Sequence, residues 1–250
     1  MGFINDLFGS KSKNTDPEGE PVLVDMHSHL LPGIDDGSSS LEQSLELIKG
    51  FVNLGYKKLI TTPHINGDFY KKNSPELIYY KLDELQNFVK QAGINIEIEA
   101  AAEYFLDESF LQKLNSNEKM MTFGENYLLF ETSYLNEPSF LAETIFNIKA
   151  SGYWPVLAHP ERYTYFYTDF GKLEEIYSQG ISFQLNLNSI IGYYSKNAEQ
   201  LAHKLIKNSM VNFVGSDCHN IKHIEALKKT HLNKEYRKVL NLPLLNNSLL

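Results

Sequence analysis

Residues 21–37 read PVLVDMHSHLLPGIDDG, a short β-branched run that leads into two histidines and a polar turn. The run PVLVDM at 21–26 is typical of a buried strand. Because residues i and i+2 of a strand face the same side, His27 and His29 can direct two imidazoles toward one ion. The stretch therefore predicts a strand that ends in two candidate metal ligands, although a His-x-His motif alone is weak evidence for a metal site.

The same strand pattern recurs along the chain and alternates with amphipathic helical segments, as in repeated βα units around a parallel sheet. The inward stripe predicted for the first helix is Leu41, Leu45, Ile48 and Val52. Seven strands and about seven helices predict an α/β fold, a distorted TIM-like (β/α)7 barrel. The strands are predicted at 21–26, 57–62, 95–101, 126–131, 154–158, 181–187 and 211–216. The helices are predicted from Ser40, from the Ser74-Pro75 N-terminus, and at 138–151, 171–179 and 196–208.

Residues with metal-binding chemistry follow the ends of these strands, where barrels of this kind carry their reacting groups. Five of the eight histidines lie in these few loops, and Asp217 and His219 repeat the i, i+2 spacing at the last strand. Imidazole plus carboxylate is the ligand set for zinc, iron or manganese, and several carboxylates allow two or three adjacent ions. The strand-end groups are His27-Ser28-His29, Asp35-Asp36-Gly37, His64, Glu103, Glu131, His159-Pro160-Glu161-Arg162 and Asp217-Cys218-His219.

These motifs resemble those of the polymerase-and-histidinol-phosphatase (PHP) superfamily. Within it, the chain is similar to the bacterial manganese-dependent protein-tyrosine phosphatases that act on tyrosine kinases of capsule and exopolysaccharide production. The similarity covers roughly residues 21–240. It is most specific in DMHSHLLPGIDDG at 25–37, TTPH at 61–64, AHPERY at 158–163 and GSDCHN at 215–220.

The resemblance implies a trinuclear metal centre that activates a hydroxide for hydrolysis of phosphotyrosine. Two or three divalent ions are expected, with manganese as the first choice and iron, magnesium or zinc as alternatives. Arg162 is implied to hold the phosphate. Asp36 rather than Asp35 is assigned as a ligand, because the family's ligand directly precedes the glycine. The implied metal ligands are His27, His29, Asp36, His64, Glu103, His159, Asp217 and His219.

Other residues near these motifs have competing interpretations. Some relatives place an arginine shortly after the Ser-Asp-x-His motif, whereas this chain has Asn220-Ile221-Lys222-His223, so a second phosphate contact is open or falls to Lys222. Glu131 is either a group that orients a ligand or an N-cap or structural residue. Cys218 is expected to face away from its neighbouring ligands and to pack. Surface positions are expected for His203, His223 and His231, and a rim for an aromatic substrate is suggested for Tyr163, Tyr165, Phe166 and Tyr167.

Composition narrows the function further. The 250 residues include 23 bases and 31 acids, for a net charge of −8, and only two arginines, Arg162 and Arg237. This balance argues against a duplex nucleic-acid partner.

Phosphatases with a cysteine nucleophile need an arginine six residues beyond the cysteine, and Ile224 stands there after Cys218, the single cysteine. The sequence has no P-loop, dinucleotide fingerprint or Gly-x-Ser-x-Gly motif.

The main hypothesis is a metal-dependent phosphatase acting on a tyrosine-phosphorylated protein, expected to be the tail of a bacterial tyrosine kinase of polysaccharide synthesis or export. One alternative is a phosphatase of a small metabolite such as histidinol phosphate at the same centre. A nuclease of the superfamily is disfavoured by the net charge. The last alternative is a non-catalytic module that only binds the kinase tail.

The chain is predicted to have a flexible leader at 1–20 and a single PHP-like metallophosphatase domain at 21–250, because residues 9–20 are polar and rich in turn formers. The leader carries an apolar cluster of Phe3, Ile4, Leu7 and Phe8, which either folds back on the domain or docks to a partner or membrane surface. No apolar run approaches the ~20 residues of a membrane span, and no secretory signal is recognised. A cytoplasmic location is expected, close to the inner face of the membrane through the substrate.

Overall fold

The structure, a computed structural model, describes residues 19–116 and 118–250. The predicted leader lies outside these ranges except for residues 19 and 20, and so does its apolar cluster. The described strands are β1 (Val24–Asp25), β2 (Lys58–Thr61), β3 (His64–Ile65), β4 (Glu97–Ala100), β5 (Glu103–Phe105), β6 (Tyr127–Glu131), β7 (Trp154–Ala158), β8 (Ser182–Asn186) and β9 (Phe213–Gly215). The described α-helices are α1 (Leu41–Asn53), α2 (Pro75–Gln91), α3 (Glu108–Asn115), α4 (Leu141–Ala150), α5 (Phe170–Ser178), α6 (Lys196–Lys207), α7 (Ile221–His231) and α8 (Lys234–Leu240).

These strands pair in parallel and form two sheets, with the orders β1-β2-β4 and β3-β5-β6-β7-β8-β9. The strands predicted at 57–62 and 95–101 each continue after a short break, as β2 then β3 and as β4 then β5. Pro63 lies at the first break, where it cannot donate a ladder hydrogen bond. Seven strand positions follow one another in the predicted order. The α/β, TIM-like fold is therefore confirmed, and the two breaks are its distortion.

The first and last strands meet along a seam between β1 and β9. At its carboxyl end, Ser28 and Cys218 form an isolated parallel bridge. At its other end, the side chain of Asn246 takes the place of direct backbone hydrogen bonds between the two strands. Its Nδ2 donates to the carbonyl oxygens of Val24 at 2.9 Å and Val214 at 2.7 Å, and its Oδ1 accepts from the Val214 amide at 2.9 Å. The seam is thus linked by backbone at one end and by an asparagine side chain at the other.

Two helices begin at the caps that the sequence predicts. Ser40 accepts a hydrogen bond from the backbone N–H of Gln43 at the start of α1, and Ser74 accepts from Leu77 at the start of α2, whose first residue is Pro75. These side chains satisfy amides that have no partner inside the helix. Helices α3, α7 and α8 have no counterpart among the predicted segments. Each of them has 11 residues or fewer.

The inward stripe predicted for α1 is partly wrong. Leu47 and Phe51 are buried beside Ile48, whereas Val52 is 37% exposed. Helix α1 contacts both α2 and α7, so its buried face is rotated by about one residue, roughly 100°. The helix itself and its start after Ser40 are as predicted.

An apolar cluster lies beneath the strand ends. Leu129 in this cluster lies two residues before Glu131, on the same face of β6, and Ala101 lies two residues before Glu103, in the break between β4 and β5. Because the interior of such a barrel is packed, carboxylates at the strand ends stand on an apolar floor. The cluster consists of Val24, Met26, Ile60, Ala101, Phe123, Leu129, Val156, Ala158, Phe213 and Leu249.

Candidate metal centre

The residues predicted as ligands come together at one edge of the barrel, where the carboxyl ends of the strands meet. Their donor atoms form four groups, and within each group all atoms lie within 4.8 Å of one another. Shared members join the four groups into one cluster, and every residue of the predicted set belongs to at least one group. The groups are His29, Asp36, His64 and His219; His27, His29 and Asp217; His27, Glu103 and His159; and His64, Glu103 and Glu131.

Glu103, at the start of β5, lies at the centre of this cluster and is fully buried. Its Oε1 lies 3.0 Å from Nε2 of His159. Its Oε2 lies 3.2 Å from Nε2 of His27, 3.4 Å from Nε2 of His29 and 3.1 Å from Nδ1 of His64. Among the described residues, none forms a hydrogen bond with this Oε2. A buried carboxylate oxygen in that position needs a cation.

The turn after β1 separates the roles of two neighbouring aspartates. Oδ1 of Asp36 lies 3.4 Å from Nε2 of both His64 and His219. Asp35 instead accepts a hydrogen bond at 2.8 Å from Nδ1 of His29. A Cβ on Gly37 would lie 2.2 Å from the carbonyl oxygen of His29, so only glycine fits here. This geometry places Asp36 among the candidate ligands, as the sequence predicts, and Asp35 behind His29.

Three imidazoles are oriented through their Nδ1 atoms, which leaves Nε2 for the cluster. His29 is held by Asp35, and Nδ1 of His27 lies 2.8 Å from Oε1 of Gln184. Nδ1 of His219 lies 2.9 Å from the carbonyl oxygen of Asp217. Such partners fix the tautomer and the ring orientation of histidines that bind metals. Sequence reasoning did not identify Gln184, since a glutamine within a strand carries no metal-site signal.

Backbone strain is concentrated at two of the candidate ligands. His159 has a φ of 33° and Asp217 a φ of 50°, both in the left-handed region. A residue other than glycine pays on the order of 1–3 kcal/mol for such a conformation, which persists when the surrounding fold imposes it. His159 directly follows β7, and Asp217 follows β9 after one intervening residue, so these turns set the direction of their side chains.

The charges in the cluster are balanced against one another. Burial alone would raise the pKa of Glu103, but the imidazoles of His27 and His64 outweigh burial and hold it well below its usual value. The same balance lowers the pKa of Asp217. Burial would lower the pKa of His64, yet Glu103, Asp36 and Glu131 together outweigh it and the pKa is raised well above normal. The carboxylates are therefore in the ionised form that binds cations, and cation binding would displace protons from imidazoles.

Glu131, at the end of β6, joins the cluster. Its Oε1 lies 3.2 Å from Nδ1 of His64, and it shares a group with His64 and Glu103. The N-cap interpretation of Glu131 is wrong, because α4 begins at Leu141 with Phe140 before it. The sequence could have predicted this position of Glu131, because Glu131 ends a strand two residues after Leu129, and residues i and i+2 of a strand face the same side.

Arg162 lies in the same cavity as the cluster and contacts one of its members. Its Nη1 donates to Oδ2 of Asp217 at 2.6 Å, and the same oxygen accepts from Nδ2 of Asn186 at 2.8 Å. The guanidinium carbon lies 4.7 Å from the ring centre of Tyr134 and 4.2 Å from that of Tyr194. The two rings and the carboxylate hold the guanidinium at the cavity wall.

The cavity has a volume of about 440 Å³. Its aromatic lining differs from the predicted rim. Tyr163 and Phe166 are buried in the main core, and neither Tyr165 nor Tyr167 lines the cavity. The prediction relied on closeness to Arg162 in sequence, but the aromatic side chains of this segment pack in or against the main hydrophobic cluster. The aromatic walls are instead Tyr134, Tyr193 and Tyr194.

The expectation that three histidines are surface residues is wrong, since all three are half-buried. His203 contacts the carbonyl of Ile190 at 3.0 Å, and the ring of His231 stacks on that of Tyr236. His223 lines the cavity, and burial lowers its pKa to about 4. Helix α7, which carries His223 and His231, has no counterpart among the predicted segments. The burial of these two histidines was not predicted for that reason.

Cys218 and Lys222 lie outside the cavity lining. Cys218 is fully buried within the main hydrophobic cluster, as the alternation of strand residues predicts. Lys222 is exposed in the first turn of α7.

None of the helices in the described part of the chain is long and apolar enough to cross a membrane.

The donor set fits divalent cations. It combines imidazole nitrogens with carboxylate oxygens, a mixture that suits manganese, iron and zinc. The unsatisfied Oε2 of Glu103 among three imidazole nitrogens is the feature that a cation would relieve. We therefore describe the cluster as a candidate metal centre.

Comparisons with known proteins agree with this description. The family described as capsular polysaccharide synthesis, CpsB/CapC, matches residues 23–239. Tyrosine-protein phosphatase YwqE of Bacillus subtilis strain 168 is 27% identical over 200 residues, which cover 80% of this chain and 78% of YwqE. Tyrosine-protein phosphatase CpsB of Streptococcus pneumoniae is 25% identical over 204 residues, with 80% and 84% covered. A solved structure from work on these two proteins, described as unique metal-dependent tyrosine phosphatases, matches with a TM-score of 0.77 and 25% identity over 90% of each chain.

Proposed function

The chain belongs to the CpsB/CapC family of capsular polysaccharide synthesis, and we propose that it is a metal-dependent protein-tyrosine phosphatase. One observation carries the proposal: Arg162, a phosphate-binding type of residue, shares a cavity with seven of the nine clustered imidazole and carboxylate side chains. The relatives that match over most of their length are named tyrosine-protein phosphatases. The small-metabolite phosphatase and the non-catalytic module are less well supported, because of those names and because all the predicted ligands are present and clustered.

The four groups of the cluster would hold two or three divalent ions, with manganese as the expected metal. When bound, such ions neutralise phosphate charge and lower the pKa of water, so that hydroxide is available near neutral pH. The protein's own part is to keep the donors ready. Gln184 and Asp35 fix the rings of His27 and His29, and the depressed pKa values of Glu103 and Asp217 keep both carboxylates ionised.

Arg162 would bind the phosphate oxygens that face away from the ions. Its planar guanidinium matches two phosphate oxygens better than a lysine would. Only Nη1 is engaged by Asp217, and the side chain is 21% exposed, so donors of the fork are left for a substrate. The tyrosine walls provide apolar surface for an aromatic ring. A phenol leaving group, with a pKa near ~10, also needs less help from a general acid than an alkyl alcohol does.

We further propose that the substrate is the phosphorylated tail of a bacterial tyrosine kinase, which would place the protein in the cytoplasm near the inner face of the membrane. The support is the capsular-synthesis description of the family and the phosphotyrosine chemistry of the cavity. A pull-down with kinase tails in phosphorylated and unphosphorylated form tests this partner.

The proposed activity is tested by comparing two phosphate esters with the same manganese-loaded protein. We expect a higher kcat/KM for a tyrosine-phosphorylated peptide than for histidinol phosphate, because of the aryl leaving group and the tyrosine walls. A higher kcat/KM for histidinol phosphate would assign the protein to the metabolite class. Tight binding of the peptide without hydrolysis would favour the non-catalytic module.

Substitution of Arg162 is expected to lower kcat/KM without removing metal. Hydrogen bonds to charged groups contribute roughly 1.5–3 kcal/mol each, so Arg162→Ala should lose about 10- to 100-fold. Arg162→Lys keeps the charge but loses the fork, and should recover only part of this loss. Steady-state kinetics with phosphotyrosine peptide and elemental analysis of metal content measure the two effects.

The matched control is Arg237→Ala, since Arg237 is the other arginine of the chain and lies exposed on α8. Its kinetics should match those of the wild type. If Arg162→Ala lost metal, Arg162 would be a support for Asp217 rather than a phosphate-binding residue. Hydrolysis at the wild-type rate by Arg162→Ala would contradict both roles.

A further inference from the structure

His223 lines the cavity without belonging to any of the four candidate metal groups. It lies four residues beyond His219, in the first turn of α7, which is capped by the side chain of Asn220. The other histidines of the cavity wall are His64, His159 and His219, and each of these is a candidate ligand. The ring of His223 is therefore an imidazole in the cavity that the metal centre does not use.

The hydrogen bonds of the ring determine its tautomer. The backbone N–H of His219 donates to Nδ1 of His223 at 3.0 Å. Because this nitrogen accepts, the proton of the neutral ring is on Nε2. Within the described part of the chain, Nε2 forms no hydrogen bond of regular geometry, and Nδ1 faces the His219 loop. The donor on the far side of the ring is left for a molecule in the cavity.

His223 and Arg162 belong to one stretch of the cavity wall. The ring of Tyr194 lies between them, with its centre 4.2 Å from the guanidinium carbon and 6.3 Å from the imidazole centre. Tyr193 meets the imidazole edge to face at 5.1 Å. Packing against these rings holds the imidazole in place. Two directional donors, one charged and one neutral, thus flank the same tyrosine next to the metal groups.

We propose that His223 is a substrate-binding residue whose Nε2–H donates to a phosphate oxygen of the substrate, on the opposite side of Tyr194 from Arg162. The proposal rests on the proposed function, since it assigns a contact to the substrate of the same cavity. A neutral donor suits this position, because it binds an anionic oxygen without adding another positive charge beside the ions. His223 has no role as a ligand, and its donor takes the second phosphate contact that the sequence left open at Lys222.

A purely structural role is the competing explanation, in which His223 only holds the His219 loop through Nδ1. Two substitutions separate the roles, because each keeps one nitrogen position of the ring. His223→Asn keeps an acceptor near the position of Nδ1 and removes the outer donor. His223→Gln reaches the position of Nε2 with an amide donor. Lys222→Ala, next to it and exposed, is the control and should match the wild type.

The experiment measures three quantities for each manganese-loaded variant: kcat/KM for a phosphotyrosine peptide, the affinity for inorganic phosphate by calorimetry, and metal content. We expect His223→Asn to lose about 10-fold in kcat/KM and a similar factor in phosphate affinity, with unchanged metal content. His223→Gln should recover a large part of both losses. Wild-type values for His223→Asn would overturn the proposal, and so would loss of metal in His223→Gln but not in His223→Asn, which is the pattern of a loop support. A wild-type protein that binds phosphate but hydrolyses no peptide would refute the proposed function alone, since the phosphate arm still tests His223.

Discussion

Removal of divalent ions with a chelator is expected to abolish hydrolysis of an aryl phosphate, and added Mn²⁺ is expected to restore it. Among the described residues, the cavity has no cysteine nucleophile, because Cys218 is buried in the core, and the charged lining is made of candidate ligands and Arg162. Metal ions supply several kcal/mol of transition-state stabilisation, so the loss should be about 1000-fold or more. The rate of release of phenolate from an aryl phosphate measures it.

The control for this experiment is a second measurement on the same samples. Elemental analysis should show that the metal content falls with the rate and returns with it. Because ligands that bind only the folded state stabilise it, the melting temperature should fall on chelation as well. Full activity in protein from which all metal has been removed would refute the metal centre and the proposed function together.

Glu103→Gln is expected to have the largest effect of any single substitution. Glutamine keeps the size of the side chain but removes the charge that four imidazoles surround at 3.0–3.4 Å. Its amide group would direct N–H donors at nitrogens that must bind cations. We expect both a loss of bound metal and a loss of about 1000-fold or more in kcat/KM.

Glu161→Gln is the matched control for this substitution. Glu161 is likewise fully buried, but its Oε1 accepts from the amide of Asn186 and the hydroxyl of Ser189, outside the four groups. Its metal content and rate should stay near those of the wild type. Equal losses of metal and of kcat/KM in both variants would mean that either buried glutamate is needed for the fold, and would contradict a specific role of Glu103 as a metal ligand.

The sequence predicts the strand-end residues well, because two simple rules apply to them. Strand residues alternate in direction, and the carboxyl ends of parallel strands meet at one edge. Both rules also apply to Glu131, so its place in the cluster follows from the same reasoning as that of Glu103. The family resemblance selected Asp36 over Asp35, and the turn geometry around Gly37 agrees with this choice.

The remaining parts of the site depend on structure that no local pattern encodes. His223 reaches the cavity because Asn220 caps a helix of only 11 residues, and Tyr194 because Gly192 turns the chain with a φ of 74°. The contacts of Arg162 with the rings of Tyr134 and Tyr194 bring together segments that are far apart in sequence, so no local pattern predicts them. The split into two sheets depends on the short breaks after β2 and β4, which a continuous apolar run does not reveal.

The side chain of Asn246 imposes an order of events on the synthesis of this chain. Strand β1 is made first, yet the group that occupies the rung between Val24 and Val214 is made 222 residues after Val24. A growing chain folds from its N-terminus, and contacts so distant in sequence form late because of the entropy of closing the loop. On a ribosome, β1 can therefore pair with β2 long before it can meet β9. The side chains of His27 and Asp217 come together only at that last step, so the groups that contain Asp217 or His219 are expected to form in a nascent chain only after Asn246 has been added.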